Sequence, residues 1–180
     1  GKIERMLEVG ADRLNTTYGL LTRIEDGTQT IARAAGADET IQPGATTPLS
    51  MAYCRHTIEG EEPLAVDDAG AEGWAEDPAY EQFGFDCYLG ATIRVGAQQY
   101  GTVCFIDPEP RETAFTERDR TFAELLTNWI HYLLEQQEYE RELEHQQAFT
   151  DSLINSLPDP LYAFNDDGFI RWNDRLEAVT

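Results

Sequence analysis

The chain has 180 residues, with 13 Lys and Arg against 34 Asp and Glu and a formal net charge of −21. Such a field repels nucleic acid and anionic membrane surfaces, so neither is expected as a direct partner of this segment. No apolar run approaches the roughly 18 residues of a membrane helix, and the N-terminus lacks the charged-then-apolar pattern of a signal peptide. Hydrophobic residues make up 41% and aromatics 11%, enough to build a core and to argue against disorder.

Lys2 is the only lysine; the remaining cations are arginines. The acids are spread along the chain in short clusters, such as Glu59, Glu61 and Glu62, Asp67-Asp68 and Asp166-Asp167. A tail or docking patch comes as a longer block of like charge. At molar salt the Debye length is about 3 Å, so dispersed self-repulsion costs little. The composition reads as adaptation to high salt. Cys54, Cys87 and Cys104 follow no metal spacing and are odd in number, which points to a reducing, cytoplasmic setting.

Taken in chain order, Ile3, Met6, Leu7, Gly10 and Leu14 have helical spacing and predict an amphipathic N-terminal helix. Thr16 to Ile24 and Gln29 to Ala35 read as strands joined by an Asp26-Gly27 turn. Gly36 to Pro48 reads as loop. Ser50 is expected to cap a short helix running to about Ile58, with Gly60 as its stop. Pro63 to Asp67 reads as a short strand, and Asp68 to Phe85 as a long irregular region. Asp86–Val95 and Tyr100–Asp107 form the clearest hairpin, joined by Gly96-Ala97-Gln98-Gln99. Placing Val95 opposite Tyr100 sets Cys104 against Ala91 and leaves Cys87 about 13 Å further along. That is beyond disulfide reach, so the cysteines read as small buried hydrophobes.

Phe115, Thr116 and Asp119 predict a capped start to a long helix. Its expected apolar face is Phe122, Leu125, Leu126, Trp129, Ile130, Leu133 and Leu134. Beyond it the pattern thins: Tyr139, Leu143 and Phe149 continue near the seam, while Gln136, Glu140 and Gln147 interrupt it. The helix is expected to pack on its own domain first and then leave it. The later part is either a parallel dimer seam or a single solvated helix. Leu161–Phe164 and Phe169–Trp172 read as a further hairpin, too small to stand alone.

This order, and the segments that fill it, resemble a GAF domain over roughly residues 1–135. Pro63-Leu64-Ala65-Val66-Asp67-Asp68 resembles that family's strand ending in an acid. Tyr88-Leu89-Gly90-Ala91-Thr92-Ile93 and Tyr100-Gly101-Thr102-Val103-Cys104-Phe105 resemble its two long strands. Tyr53-Cys54-Arg55-His56-Thr57-Ile58 is similar to a helix of prokaryotic sensor GAF domains. Leu157 to Asn173 resembles the opening of a PAS domain. The resemblance implies an α+β fold, with a central antiparallel sheet flanked by helices and a long C-terminal signalling helix. It implies three parts: a GAF-like domain at 1–135, a helical linker with coiled-coil potential at 136–156, and a PAS-like N-terminal fragment at 157–180. With the acidic, lysine-poor composition it points to a haloarchaeal signalling protein. That protein is either a sensor histidine kinase or a bacterio-opsin-activator-type regulator.

The resemblance further implies a pocket for a small molecule or protein between the sheet and the variable region. Asp68, Trp74, Tyr80, Phe83, Phe85 and Tyr88 are the candidates there, with Tyr53 and Arg55 reaching it from the short helix. The alternative is that these aromatics are lids on an ordinary core. Trp129, Leu133, Gln136 and Leu143 are the candidates for a homodimer and signalling helix. No cofactor or metal is identified, and this segment reads as non-enzymatic. Phe115 and Asp119 match half of a cyclic-nucleotide pattern, but its Asn-Lys pair is missing. Cys54 and His56 lack the adjacency of a bilin-attachment pair. His131 and His145 lack a phosphoacceptor context. A GAF branch that reduces free methionine sulfoxide invites comparison through the cysteines, but Cys87 is followed by Tyr88 where that branch has aspartate. Two readings remain: a sensor that relays ligand or partner binding, and a dimerising scaffold that senses nothing.

Overall fold

The structure, a computed structural model, describes residues 1–36, 41–156, 162–165 and 168–172, the last two stretches as backbone. Helix α1 spans Lys2–Leu14 and buries Ile3, Leu7, Gly10, Ala11 and Leu14 along one face, the spacing expected of an amphipathic helix. Asn15 ends it in the left-handed conformation, with φ 52°. Strands β1 (Tyr18–Glu25) and β2 (Thr28–Ala35) follow as a hairpin. Its turn residues Asp26 and Gly27 both have positive φ, 49° and 72°, as tight hairpin turns require.

Strand β3 (Thr46–Pro48) leads into a 3₁₀ turn, Leu49–Met51, and then helix α2 (Cys54–Glu59). Strand β4 (Leu64–Val66), helix α3 (Pro78–Phe83), strands β5 (Cys87–Val95) and β6 (Gln98–Asp107) and helix α4 (Glu117–Ser156) complete the order. The six strands form one sheet in the order β3-β2-β1-β6-β5-β4. Every pairing is antiparallel. The α+β architecture is the one the sequence implies.

Strand alternation divides the core into two. Leu21, Leu89, Val103 and Phe105 point to the face covered by α1 and the first turns of α4, where they meet Leu7, Leu14, Leu126 and Ile130. Leu20, Tyr88, Cys104 and Ile106 point to the opposite face, beneath α2 and α3. Gly10 lets α1 approach the sheet: a Cβ there would stand 2.5 Å from the Phe105 ring and 2.8 Å from Leu126.

Several expectations are corrected. Ser50 does not cap α2. Ala52 is extended (φ −125°, ψ 143°) and separates the 3₁₀ turn from a helix whose cap residue is Tyr53. The region 68–85 contains α3. Asp77 accepts from Ala79 N–H at 2.8 Å, Pro78 opens the first turn and left-handed Gly84 closes it. The β5–β6 turn is shorter than expected, because Gln98 and Gln99 belong to β6 and a bulge follows Ile93. Cys104 therefore faces Gly90, and Cys87 faces Asp107. Three residues apart in register, Cys87 and Cys104 belong to opposite faces of the sheet.

Helix α4 opens with the expected capping box: Thr116 N–H and Oγ1 donate to Asp119 Oδ2 at 2.9 and 2.7 Å. It is held to the β5–β6 turn by His131, which hydrogen-bonds the Arg94 carbonyl, and by Glu135, which accepts from Gly96 N–H at 3.2 Å. Its buried positions are Ala123, Leu126, Thr127 and Ile130, with Phe122, Leu133 and Leu134 partly buried. Leu125 and Trp129, expected on the packed face, are 64% and 63% exposed. The chain divides into two compact units, Gly1–Glu135 and Gln136–Thr180. The second holds the rest of α4 and an antiparallel hairpin of β7 (Tyr162–Asn165) and β8 (Gly168–Trp172). Leu157–Pro160 and Asn173, part of the PAS-like segment, lie outside the described residues. No helix among the described residues is long and apolar enough to cross a membrane.

Candidate ligand cavity

Beneath α2 and α3 the sheet does not close on itself. A cavity of about 250 Å³ remains between β1, β2, β6 and the segment from β3 to α2. Exposed Thr46, Pro48 and Gln82 form its mouth. Leu20, Ile31, Ile41, Met51 and Ile106 give it apolar walls. Among the described residues no Asp, Glu, Lys or Arg lines it, which is notable in a chain of net charge −21.

The aromatic side is built by α2 and by the exit from α3. Tyr53 stacks obliquely on Tyr88, with ring centroids 5.1 Å apart, and meets Trp74 edge-on at 5.7 Å. Its hydroxyl donates to the Phe85 carbonyl oxygen at 3.0 Å. Burial pushes the Tyr53 phenol well above its ordinary pKa, so it stays a neutral donor. Phe83 and Phe85 stack at 6.2 Å. Asp77 fastens this wall from outside: it pairs with Arg55, and its Oδ2 lies 3.1 Å from His56 Nε2.

The floor is built of hydroxyl and thiol groups. Tyr88 is fully buried, and a bare phenol there would cost about 1–3 kcal/mol. Its hydroxyl is satisfied by Thr57 Oγ1 at 2.6 Å and lies 3.6 Å from Cys54 Sγ. Cys54 Sγ is 3.0 Å from Thr102 Oγ1, which in turn is 2.8 Å from Thr22 Oγ1 across the β1–β6 ladder. One group is left over. Gln29 is 9% exposed, lines the cavity, and its Oε1 has no hydrogen-bond partner among the described residues.

Four of the eight sequence-selected pocket residues, Tyr53, Phe83, Phe85 and Tyr88, line the cavity. Arg55 and Trp74 form its outer buttress, through Asp77 and Tyr53 respectively. Asp68 and Tyr80 stand elsewhere. Asp68 accepts from Ala71 N–H at 2.9 Å and turns the loop, while Tyr80 hydrogen-bonds Asp86, which raises its pKa. Gln29, Cys54 and Cys104 escaped the sequence reading as pocket residues. For Gln29 and Cys104 the signal was alternation: on the correct register Leu20 faces Cys104, and Gln29 and Ile31 follow in step on β2.

Residues 3–132 match the GAF domain family. The chain belongs to it. GAF domains are sensory and regulatory modules of signalling proteins, and this one has the family's sheet with a long C-terminal helix. The fold is similar to the GAF domain of an Acinetobacter phosphoenolpyruvate-protein phosphotransferase, at 13% identity and TM-score 0.61, covering 78% of this chain and 84% of that one. It is similar also to the red light-absorbing state of the red/green cyanobacteriochrome NpR6012g4, at 17% identity and TM-score 0.60, covering 77% and 97%. A phycocyanobilin-bound GAF domain from a cyanobacterial phytochrome aligns at 13% identity and TM-score 0.60, covering 77% and 87%. No curated protein sequence gives a significant match.

Proposed function

We propose that this GAF domain is the sensory module of a haloarchaeal signal-transduction protein, and that a small neutral ligand fills the cavity. The observation that carries the reading is Gln29. Its buried Oε1 lacks a partner among the described residues, at the edge of an apolar space. A buried acceptor left bare costs about 1–3 kcal/mol, which a ligand N–H or O–H relieves. A volume of about 250 Å³ lies between an engineered cavity of about 150 Å³ that takes benzene and the roughly 300–1,000 Å³ of drug-sized sites. The fitting ligand has one or two rings and one hydrogen-bond donor; the four rings of a linear tetrapyrrole exceed the space.

Strand β6 supplies the relay. Cys104 and Ile106 face the cavity, while Val103 and Phe105 face α1 and α4. A ligand that prefers one packing of β6 shifts the population of α4 packings on the other side. In this reading α4 passes the shift to a following PAS domain and an output domain, a histidine kinase or a bacterio-opsin-activator-type regulator. The segment itself performs no catalysis in this reading. The dispersed acids and near-absence of lysine support a high-salt cytoplasm, where the unfolding midpoint should fall as KCl is withdrawn. A midpoint indifferent to salt contradicts that assignment.

A second reading, a dimerising scaffold, is supported by the exposed Leu125, Trp129 and Tyr132 of α4. A thermal-shift screen in molar KCl separates the two. Neutral one- and two-ring donors at about 100-fold their Kd stabilise the fold by about 2.7 kcal/mol. The sensor reading requires hits on the wild type that Gln29→Leu abolishes. A screen without such hits leaves the scaffold.

A further inference from the structure

The cavity floor carries a chemistry that ligand binding does not use. Cys54, from the first turn of α2, and Cys104, from the middle of β6, are each 2% exposed and both line the cavity. Thr102 and Cys104 are two residues apart on β6 and so share a face. Cys54 Sγ lies 3.0 Å from Thr102 Oγ1 and 3.6 Å from Tyr88 Oη, and that Tyr88 hydroxyl lies over Gly90, the cross-strand partner of Cys104. Simple packing of a small hydrophobe does not call for so many hydroxyl and thiol neighbours around one sulfur. They are what a thiolate needs when no cation is at hand.

We propose that Cys54 and Cys104 form a peroxide-reactive dithiol, with Cys54 as the attacking sulfur and Cys104 as the resolving one. A small hydroperoxide enters by the cavity mouth. The Cys54 thiolate attacks its distal oxygen; the O–O bond breaks, the sulfur becomes a sulfenic acid, and the other oxygen leaves as alkoxide or hydroxide and takes up a proton. The Cys104 sulfur then attacks the sulfenic sulfur, its proton leaves with the hydroxyl as water, and an S–S bond closes. The two thiols are oxidised and the peroxide is reduced to an alcohol or water. The disulfide would tie α2 to β6, the strand shared by the cavity and the α4 face.

The acid-base balance agrees with these roles. Hydrogen bonds from Cys104 first, then from Thr102, Tyr88 and Thr22, hold the Cys54 thiol down at about 7 against the upward push of burial. Cys104 is pushed up by its neighbour Cys54 and by burial, so it remains the protonated partner. Cys87, on the other face of the sheet, is pushed up to about 12 by burial and serves as an internal control.

The test needs only the reduced wild-type protein in molar KCl and a tenfold excess of hydrogen peroxide. Intact mass should fall by about 2 Da, and peptide mapping should link Cys54 to Cys104. With Cys104→Ser, oxidation should stop at a sulfenic acid on Cys54 that a cyclic 1,3-dione traps. With Cys87→Ser, the product should match the wild type. The oxidation is read with no ring compound present, so its outcome is independent of the ligand screen and separates failure of this proposal from failure of the ligand reading. Three thiols still reduced after the treatment, or a disulfide that includes Cys87 or a second chain, would overturn it.

Discussion

The Tyr53 hydroxyl donates to the Phe85 carbonyl oxygen at 3.0 Å, joining the start of α2 to the strand-ward exit of α3. That bond closes the aromatic wall of the cavity. Tyr53→Phe keeps the ring contacts with Tyr88 and Trp74 but leaves the carbonyl without its donor. Denaturant unfolding in molar KCl should show a loss of about 1–2 kcal/mol. A variant as stable as the wild type would show that the wall is held by packing alone.

Asp77 gives the same wall a pH dependence. Burial pushes its carboxyl up, but hydrogen bonds from Arg55, the Ala79 N–H and His56 outweigh burial and hold it below the usual range. A carboxyl with a depressed folded pKa stabilises above its unfolded pKa, about 3.9, and loses that stabilisation as pH falls through the folded value. The α2–α3 contact should therefore loosen below about pH 4. Trp74 emission in a Trp129→Phe, Trp172→Phe background reads it, since Trp74 packs on Tyr53 and His56. Asn keeps the helix cap, so Asp77→Asn should start looser and stay flat through that window. Superimposable acid profiles would refute the assignment.

Gly10 is where α1, β6 and α4 converge. Alanine gains about 1 kcal/mol in helix propensity over glycine. Its Cβ would stand 2.5 Å from the Phe105 ring in a packed core, an overpacking that costs about 1–3 kcal/mol. The clash should win, and Gly10→Ala should be destabilised by up to about 2 kcal/mol in urea titration. A stabilised variant would show that α1 can move away from the sheet without cost.

Leu125 and Trp129 are more than half exposed on α4. If they serve self-association, Leu125→Glu/Trp129→Glu should sediment as a monomer where the wild type sediments as a dimer. Monomer stability should stay within about 0.5 kcal/mol per site, because these side chains leave little contact behind. Of the other helix candidates, Leu133 packs on its own core, Gln136 hydrogen-bonds Glu140 at 3.2 Å, and Leu143 is 46% exposed. A wild-type monomer would remove the dimer from the account.

Local signals made most of the fold legible. Helix spacing in α1, the Asp26-Gly27 turn and the Thr116–Asp119 capping box act within a few residues and stand as expected. Asp77-Pro78 and Gly84 bracket α3 with equally local chemistry, and aromatic residues in between obscured it. The cavity was only half legible, because its chemistry comes from register. One residue of slip in β5–β6 moved Cys104 from Gly90 to Ala91 and put Cys87 and Cys104 on one face of the sheet, where the structure has them on opposite faces. Likewise, the face of α4 that is buried depends on how α1 and the sheet share it. Spacing alone does not distinguish Leu126 from Leu125.

The central claim is that ligand binding on one face of the sheet is felt on the other. The chain has two methionines, and they sit on the two sides: Met51 lines the cavity, and Met6 packs against the α1–α4 core. Methyl-labelled methionine NMR therefore reads both faces at once. Titration with a neutral ring compound bearing one donor should shift Met51 and, with the same saturation midpoint, Met6. A Met51 shift that saturates while Met6 stays still, or a Met51 resonance that no such compound moves, would contradict the account.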